Sequence, residues 1–255
     1  MLKILPNKHL QSYLNALEKD LPNNLPSGEK PPLTSDTFSF YTSVSSVYSS
    51  KIEGEDIDLN SYLKHRFSKT EYQPDYTKKT DDLFEAYQFA KNSELTLNNL
   101  LKAHTLLSKN LLKPSNQGRI RTEIELILNA DGQIEYVAAA PSVVHSEMEK
   151  LMSDIVFLKE QNLNSNTIFY CAAMIHLIFL KIHPFADGNG RSARLLEKWF
   201  LAQKLGENAW FIPSEKYYYD NIKAYYKNVH IGLDYESLNY DRCLPFLLML
   251  PKTVK

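Results

Sequence analysis

The stretch His183-Pro184-Phe185-Ala186-Asp187-Gly188-Asn189-Gly190-Arg191 places an imidazole, a carboxylate, two glycines and a guanidinium within nine residues. The glycines stand out, because only 8 of the 255 residues are Gly, where average usage would give roughly 18. Glycine lets the backbone take positive φ and bring its N–H groups close to a ligand. A helix starting just after such a turn adds unpaired N–H donors and the positive end of its dipole. Together these make an anion site, with phosphate the usual occupant. Arg191 and Arg194, three residues apart, share a face of the first helical turn and run against that dipole. Their presence calls for a bound polyanion, or for an anion shared with a protein carboxylate. Asp187 is a natural Mg²⁺ ligand beside phosphates, since Mg²⁺ takes hard oxygens from one or two carboxylates and the substrate. His183 is suited to removing a proton from an attacking hydroxyl. Phe185 reads as an apolar peg holding the loop on the core, and Pro184 as a helix terminator.

The elements that must position these residues are mostly helices. The run 168–182, "IFYCAAMIHLIFLKI", is short for a bilayer span and interrupted by His176 and Lys181, so it reads as a helix buried all round. His176, seven residues before His183, reads as a core histidine. An amphipathic helix follows from Arg191 to Leu205, closed by Gly206. Helical spacing also marks Leu10 to Leu21, Thr80 to Lys91, Leu95 to Asn110, Ser142 to Gln161, Ser214 to Val229 and a C-terminal segment from Asp241. Between Gly118 and Val137 the period changes. Ile120, Thr122, Ile124, Leu126 and Leu128 alternate with polar neighbours, turn at Asn129-Ala130-Asp131-Gly132, and return through Ile134 and Tyr136, which predicts a hairpin. Such a hairpin is marginal alone, so it should pack on helices, either to cover the core or to offer a docking edge. The serine-rich segment around Tyr41 to Ile52 favours a strand by composition and a helix by spacing.

"HPFADGNGRSAR" matches the motif HPFx(D/E)GNGRxxR at every specified position, and on it the chain resembles the Fic (filamentation induced by cAMP) domain family. The likeness extends from about Ser35 to the C-terminus and is weak over the N-terminal arm. It implies a mainly α fold, a Fic-type helical bundle with one β-hairpin flap beside the active-site loop. Residues 1–33 are then a helical arm and linker, the latter "PNNLPSGEKPPL" at 22–33. Residues 34–255 are the domain, with an inhibitory helix at about 36–53, the flap at about 118–137 and the catalytic loop at 183–194. The resemblance implies transfer of AMP from Mg-ATP to a hydroxyl of a target protein. His183 would be the base, Asp187 the Mg²⁺ ligand, Gly188, Asn189 and Gly190 the anion hole, and Arg191 and Arg194 the ligands of the β- and γ-phosphates. Tyr225 and Tyr226 resemble an aromatic pair lining the adenine pocket, though ordinary packing would equally account for them. A target segment could dock on the flap as an added strand. One departure from the family is Ala138-Ala139-Ala140-Pro141, where relatives often carry several prolines.

"SSKIEG", Ser49 to Gly54, resembles the (S/T)xxxE(G/N) inhibitory motif of one class of that family, which carries it on a helix. Ser49 and Glu53 then share a helix face. Glu53, at the helix end, needs a cationic partner, and Arg194 needs an anion. A Glu53–Arg194 pair would satisfy both and stand where the γ-phosphate belongs. Holding 99% of molecules in that state takes only about 2.7 kcal/mol.

The net charge of −1 and pI near 6.7 leave no basic footprint, so no nucleic-acid partner is expected. Two cysteines, Cys171 and Cys243, read as reduced thiols of a cytoplasmic protein. No signal segment or membrane span is expected, and a homodimer is left open. Metalloprotease, hydrolase and P-loop readings fail for lack of HExxH, GxSxG or Gly-Lys-Ser/Thr. Two alternatives remain: removal of AMP from a modified protein, and a non-catalytic ATP-sensing module.

Overall fold

Side-chain caps at Asp36, Asp58, Thr96 and Asn164 each start a helix. In a computed structural model, which describes residues 2–22, 25, 36–128 and 131–254, the first helix is α1 (Leu10–Ala16). α2 (Thr37–Ile52) begins where the Asp36 side chain accepts from the Ser39 N–H. α3 (Leu59–Ser68) begins likewise at Asp58, with Ser61 as donor. α4 (Pro74–Lys91) starts on a proline whose missing N–H costs nothing there, and α5 (Leu97–Leu107) on the Thr96 hydroxyl. The strands β1 (Leu126–Leu128) and β2 (Ile134–Val137) form one antiparallel hairpin. α6 (Pro141–Glu160), α7 (Ser165–Ile182), α8 (Asn189–Leu205), α9 (Ser214–Asp220), α10 (Ile222–Val229) and α11 (Leu244–Leu247) complete a mainly helical architecture.

At the centre lies α7, buried along nearly its whole length, packed chiefly on α8 and flanked by α6, α1 and α11. It is long and apolar enough to cross a membrane, but that surface is spent on neighbouring helices. His176 is fully buried within it, as the sequence indicates. α2 lies across α4 and α9. Its serines explain the conflict between composition and spacing: Ser43, Ser45, Ser46, Ser49 and Ser50 are buried. Ser43 gives its hydroxyl proton to the carbonyl of Ser39 within the helix. Small polar side chains that bond inward or to neighbours let this helix approach its partners closely.

The first residues are integrated into the core rather than projecting as an arm. Leu5, Tyr13, Leu21 and Leu25 belong to the main hydrophobic cluster. The buried Asp154 carboxylate of α6 accepts from the backbone N–H groups of Lys3, Ile4 and Leu5 at 2.6, 2.8 and 2.9 Å. Linker residues 23, 24 and 26–33, and the hairpin residues Asn129 and Ala130, lie outside the described residues.

Several expected boundaries move. The first helix stops at Ala16, short of Leu21. The segment 214–229 is two helices broken at Asn221, and the C-terminal helix is a single α turn between two 3-10 turns. α3 has no counterpart in the sequence reading. The hairpin pairs only over 126–128 and 134–137, with Leu126 opposite Val137 and Ile127 opposite Tyr136. Apart from the Glu125 carbonyl, which accepts from the Ala138 N–H at 3.1 Å, residues 118–125 are held by side chains and loop contacts instead, for reasons that emerge at the loop after α7.

Candidate active site

His183 ends α7 in the left-handed region, φ 53° and ψ 61°. Histidine is among the non-glycine residues that tolerate this conformation, at a cost of roughly 1–2 kcal/mol. Arg121, from the segment before β1, holds the strained turn in place. Its guanidinium donates to the carbonyls of His183 (2.7 Å), Ile182 (3.3 Å), Ala139 (2.6 Å) and Glu123 (2.6 Å), while its own N–H donates to the Pro184 carbonyl at 2.9 Å. A cation so placed also complements the negative end of α7. These bonds explain why 118–124 forgoes strand pairing: it is stapled to the loop.

The rest of the loop is fixed as firmly. Phe185 is buried and stacks on His104 of α5, with ring centroids 3.6 Å apart. The Asn189 amide bridges the N–H and C=O of Phe185 at 2.9 and 2.7 Å, so its side chain shapes the loop and only its backbone is left for a ligand. Gly118 donates its N–H to His104 Nδ1 at 2.9 Å, so Nε2 carries the proton and donates to the Asp187 carbonyl at 3.0 Å. Burial pushes the His104 pKa down to about 4, consistent with that neutral form.

The same reasoning fixes the tautomer of His183. Nδ1 lies 3.1 Å from the Leu180 carbonyl, which can only accept, so Nε2 is left as the free base. Burial lowers the His183 pKa to about 4; the Leu180 bond and Glu53 oppose the shift, while Arg121 and Lys181 reinforce it. The imidazole is therefore unprotonated at neutral pH.

Beyond the loop, α8 starts at Asn189 on Gly188, whose φ is +79°, and no side chain caps this end. A Cβ on Gly188 would stand 2.9 Å from the Leu107 side chain. At Gly190 the clash would be with Glu53: a Cβ there would meet Oε1 at 2.2 Å. The Glu53 carboxylate thus rests on the backbone cradle itself. Its Oε1 accepts from Arg194 Nη2 at 2.6 Å, and Arg194 also donates to the Ser49 hydroxyl at 2.8 Å and the Ser49 carbonyl at 3.1 Å. Burial disfavours both charges, but the pair outweighs it: the Glu53 pKa moves down and that of Arg194 up. The fold thus brings Ser49, Glu53 and Arg194 into contact.

Arg191 has a carboxylate that the sequence reading missed. Glu55 Oε1 lies 3.1 Å from Arg191 Nη2 and 2.8 Å from Lys79 Nζ of α4. The signal was available, since "EGED" carries a second acid one residue past the turn glycine. Arg121 and His104 were missed because nothing in their local patterns sets them apart.

Tyr225 and Tyr226 line a cleft of about 690 Å³ together with Glu53, His183, Gly190 and Arg194. Tyr225 is buried and bonded to His176 Nε2 at 3.0 Å, whereas the half-exposed Tyr226 donates to the carbonyl of Ile52 at 2.8 Å. The flap forms the opposite wall through Leu126, Ile127, Leu128 and Tyr136. Asp187 keeps one carboxylate oxygen on the Gly188 N–H at 2.6 Å. No group of three or more His, Cys, Asp or Glu able to hold a metal occurs among the described residues. A single exposed carboxylate beside a phosphate cradle fits Mg²⁺ carried in with a nucleotide, which needs few protein ligands.

Comparison with known proteins bears on this arrangement. A Fic family protein from Desulfovibrio desulfuricans G20 superposes with a TM-score of 0.69 at 22% identity, over 85% of this chain and 62% of that one. A Fic domain containing signaling protein from Bacteroides thetaiotaomicron VPI-5482 gives 0.63 at 20% identity, over 96% and 91%. The fold is therefore that of the Fic proteins. Residues 94–201 match the Fic/DOC family model. Over 142 residues, 56% of this chain, it is 29% identical to the protein adenylyltransferase fic-1 of Caenorhabditis elegans and 28% to that of Caenorhabditis briggsae. The match spans a quarter of the length of those relatives.

Proposed function

We propose that this domain transfers AMP from Mg-ATP to a hydroxyl side chain of a target protein, and that Glu53 holds the reaction off. The triphosphate would lie over the backbone of Gly188 to Gly190, with Arg191 and Arg194 on its outer phosphates. Asp187 would hold Mg²⁺, which when bound supplies charge neutralisation to the phosphates. The adenine would enter the cleft beside Tyr225 and Tyr226. The free Nε2 of His183 takes the proton of the acceptor hydroxyl as its oxygen bonds to the α-phosphorus. The bond from that phosphorus to the bridging oxygen of the β-phosphate breaks, and pyrophosphate leaves.

One observation carries this reading: the Glu53 carboxylate rests on the glycine cradle and is bonded to a buried arginine. A protein carboxylate there marks where an anionic substrate group would sit. It leaves the wider cleft open, so ATP could enter yet be misaligned for in-line attack. The relatives named as protein adenylyltransferases support the choice of AMP as the group transferred.

The test is mass spectrometry after incubation with Mg-ATP. Glu53→Gly should raise AMP incorporation, into itself or a target, by about tenfold or more. His183→Ala in the Glu53→Gly background should abolish it. No gain from Glu53→Gly would remove the brake. Loss of AMP from a premodified protein, dependent on Glu53, would turn the reading to the reverse reaction.

A further inference from the structure

Lys181, two residues before the proposed base, is a buried cation with no ion-pair partner among the described residues. It is 3% exposed, and among those residues its ammonium has no hydrogen-bond acceptor and no carboxylate within ion-pair distance. The ring face of Tyr136 lies beside it, with Nζ 4.2 Å from the centroid. Tyr136 is tied back to the same residue, its hydroxyl donating to the Lys181 carbonyl at 2.8 Å. Buried ammonium groups are ordinarily paired, because desolvating an uncompensated charge is costly, and a ring face compensates only part of that cost. Burial does lower its pKa, to about 8, which leaves the group mostly protonated at neutral pH.

The position of this cation narrows what it can meet. Lys181 lines the cleft on the flap side, against β2, where the charge that reaches it is that of Glu135. The cradle side has its own cations, Arg191 and Arg194, each already matched to a carboxylate. Strand β1 is short, and its side chains Leu126 and Leu128 are exposed, as is Ile134 on β2. An extended segment added to this edge would run past His183 with alternate side chains turned into the cleft.

We infer that Lys181 is a specificity-determining residue, receiving an acidic side chain that flanks the acceptor hydroxyl of the target. This rests on the AMP-transfer reading. Aspartate or glutamate beside the modified residue would complete the ion pair that the folded chain leaves open. An amide of the same shape would leave the ammonium unpaired.

The probes are paired nonapeptides with a central Ser, Thr or Tyr, flanked on both sides by Asp or by Asn, tested on the Glu53→Gly protein with Mg-ATP. Transfer is read by mass spectrometry and binding by fluorescence anisotropy of labelled peptides. The acidic peptides should be preferred by about tenfold in KM and in binding, the scale of one charge-assisted contact. That preference should vanish in Lys181→Met and persist in Lys181→Arg. Equal use of Asp and Asn peptides, or no peptide binding at all, would overturn the inference while leaving AMP transfer intact. A raised KM for ATP in Lys181→Met, with the peptide preference unchanged, would assign the ammonium to the nucleotide and equally overturn it. Absence of transfer to any acceptor, with acidic peptides still bound more tightly, would instead sink the AMP-transfer reading and spare the role of Lys181.

Discussion

A side chain meant to accept a proton from an alcohol must be unprotonated before the substrate arrives. His183 meets that condition by burial and by donating its Nδ1 proton to the Leu180 carbonyl. With its pKa near 4 rather than the usual 6.5, the rate of the Glu53→Gly enzyme should show no acid limb near pH 6.5 and should stay flat down to about pH 5. Removing Glu53 strengthens this, since that carboxylate favours the protonated imidazole. Initial rates between pH 5 and 8 check the point, and a fall centred near pH 6.5 would count against a buried neutral base. The same shift acts on stability. The unfolded chain binds protons at His183 and His104 near pH 6.5, and the folded chain only near pH 4. Stability is therefore unaffected above pH 6.5 and falls as pH drops from 6.5 to 4, with a slope of about two protons. The motif residues stood out in the sequence because a histidine, glycines and arginines at that spacing suit an anion site. Arg121 and His104 were not, because their work is to bond main-chain groups far away in sequence.

At the level of elements, α2 carries two carboxylates at its end, and both reach arginines of α8. Both carboxylates are about a quarter exposed and both arginines are buried, but Glu53 lies 2.6 Å from Arg194, whereas Glu55 is 3.1 Å from Arg191 and shared with Lys79. A longer contact divided between two cations is worth less than about 1 kcal/mol. Glu55→Ala should therefore release the enzyme by only about two- to fivefold, and should add to the effect of Glu53→Gly. Rates of AMP incorporation in the single and double variants decide this; no change in either background would make Glu55 a surface contact without consequence. Whether this segment is strand or helix was undecidable from its composition, since serine and valine favour strands only where packing suits them. The hydroxyls of Ser43, Ser45 and Ser50, which bond within the helix or to Thr80, Glu215 and Lys198, settle it. The hairpin was legible as a hairpin, but its length was not: alternation continues through 120–124, while Arg121 there is bonded to the loop after α7.

Across the whole molecule, the residues read as an N-terminal arm belong to the same core as α7. Asp154 gathers three successive backbone N–H groups, and Tyr170 donates its hydroxyl to the Pro6 carbonyl. Replacing Asp154 with Ala strands buried donors and should cost about 2 kcal/mol or more in urea unfolding. Cleavage of residues 2–22 by protease should speed up; unchanged proteolysis would mean that apolar contacts alone hold this segment. Its sequence suggested a detached helix because prolines follow it, and proline content reports on the linker rather than on where the preceding helix docks. Helix content and order were largely legible, since they follow from periodicity and caps, whereas the long-range partners that fasten them were not. Glu53 is the residue on which α2 stops, followed by Gly54 at φ +88°, so the contact proposed to hold the reaction off hangs from the last turn of a helix. Terminal turns unwind without disturbing the rest of a protein. A switched-off population would thus idle at a slow background rate, set by how often one turn comes undone and needing no activator to begin.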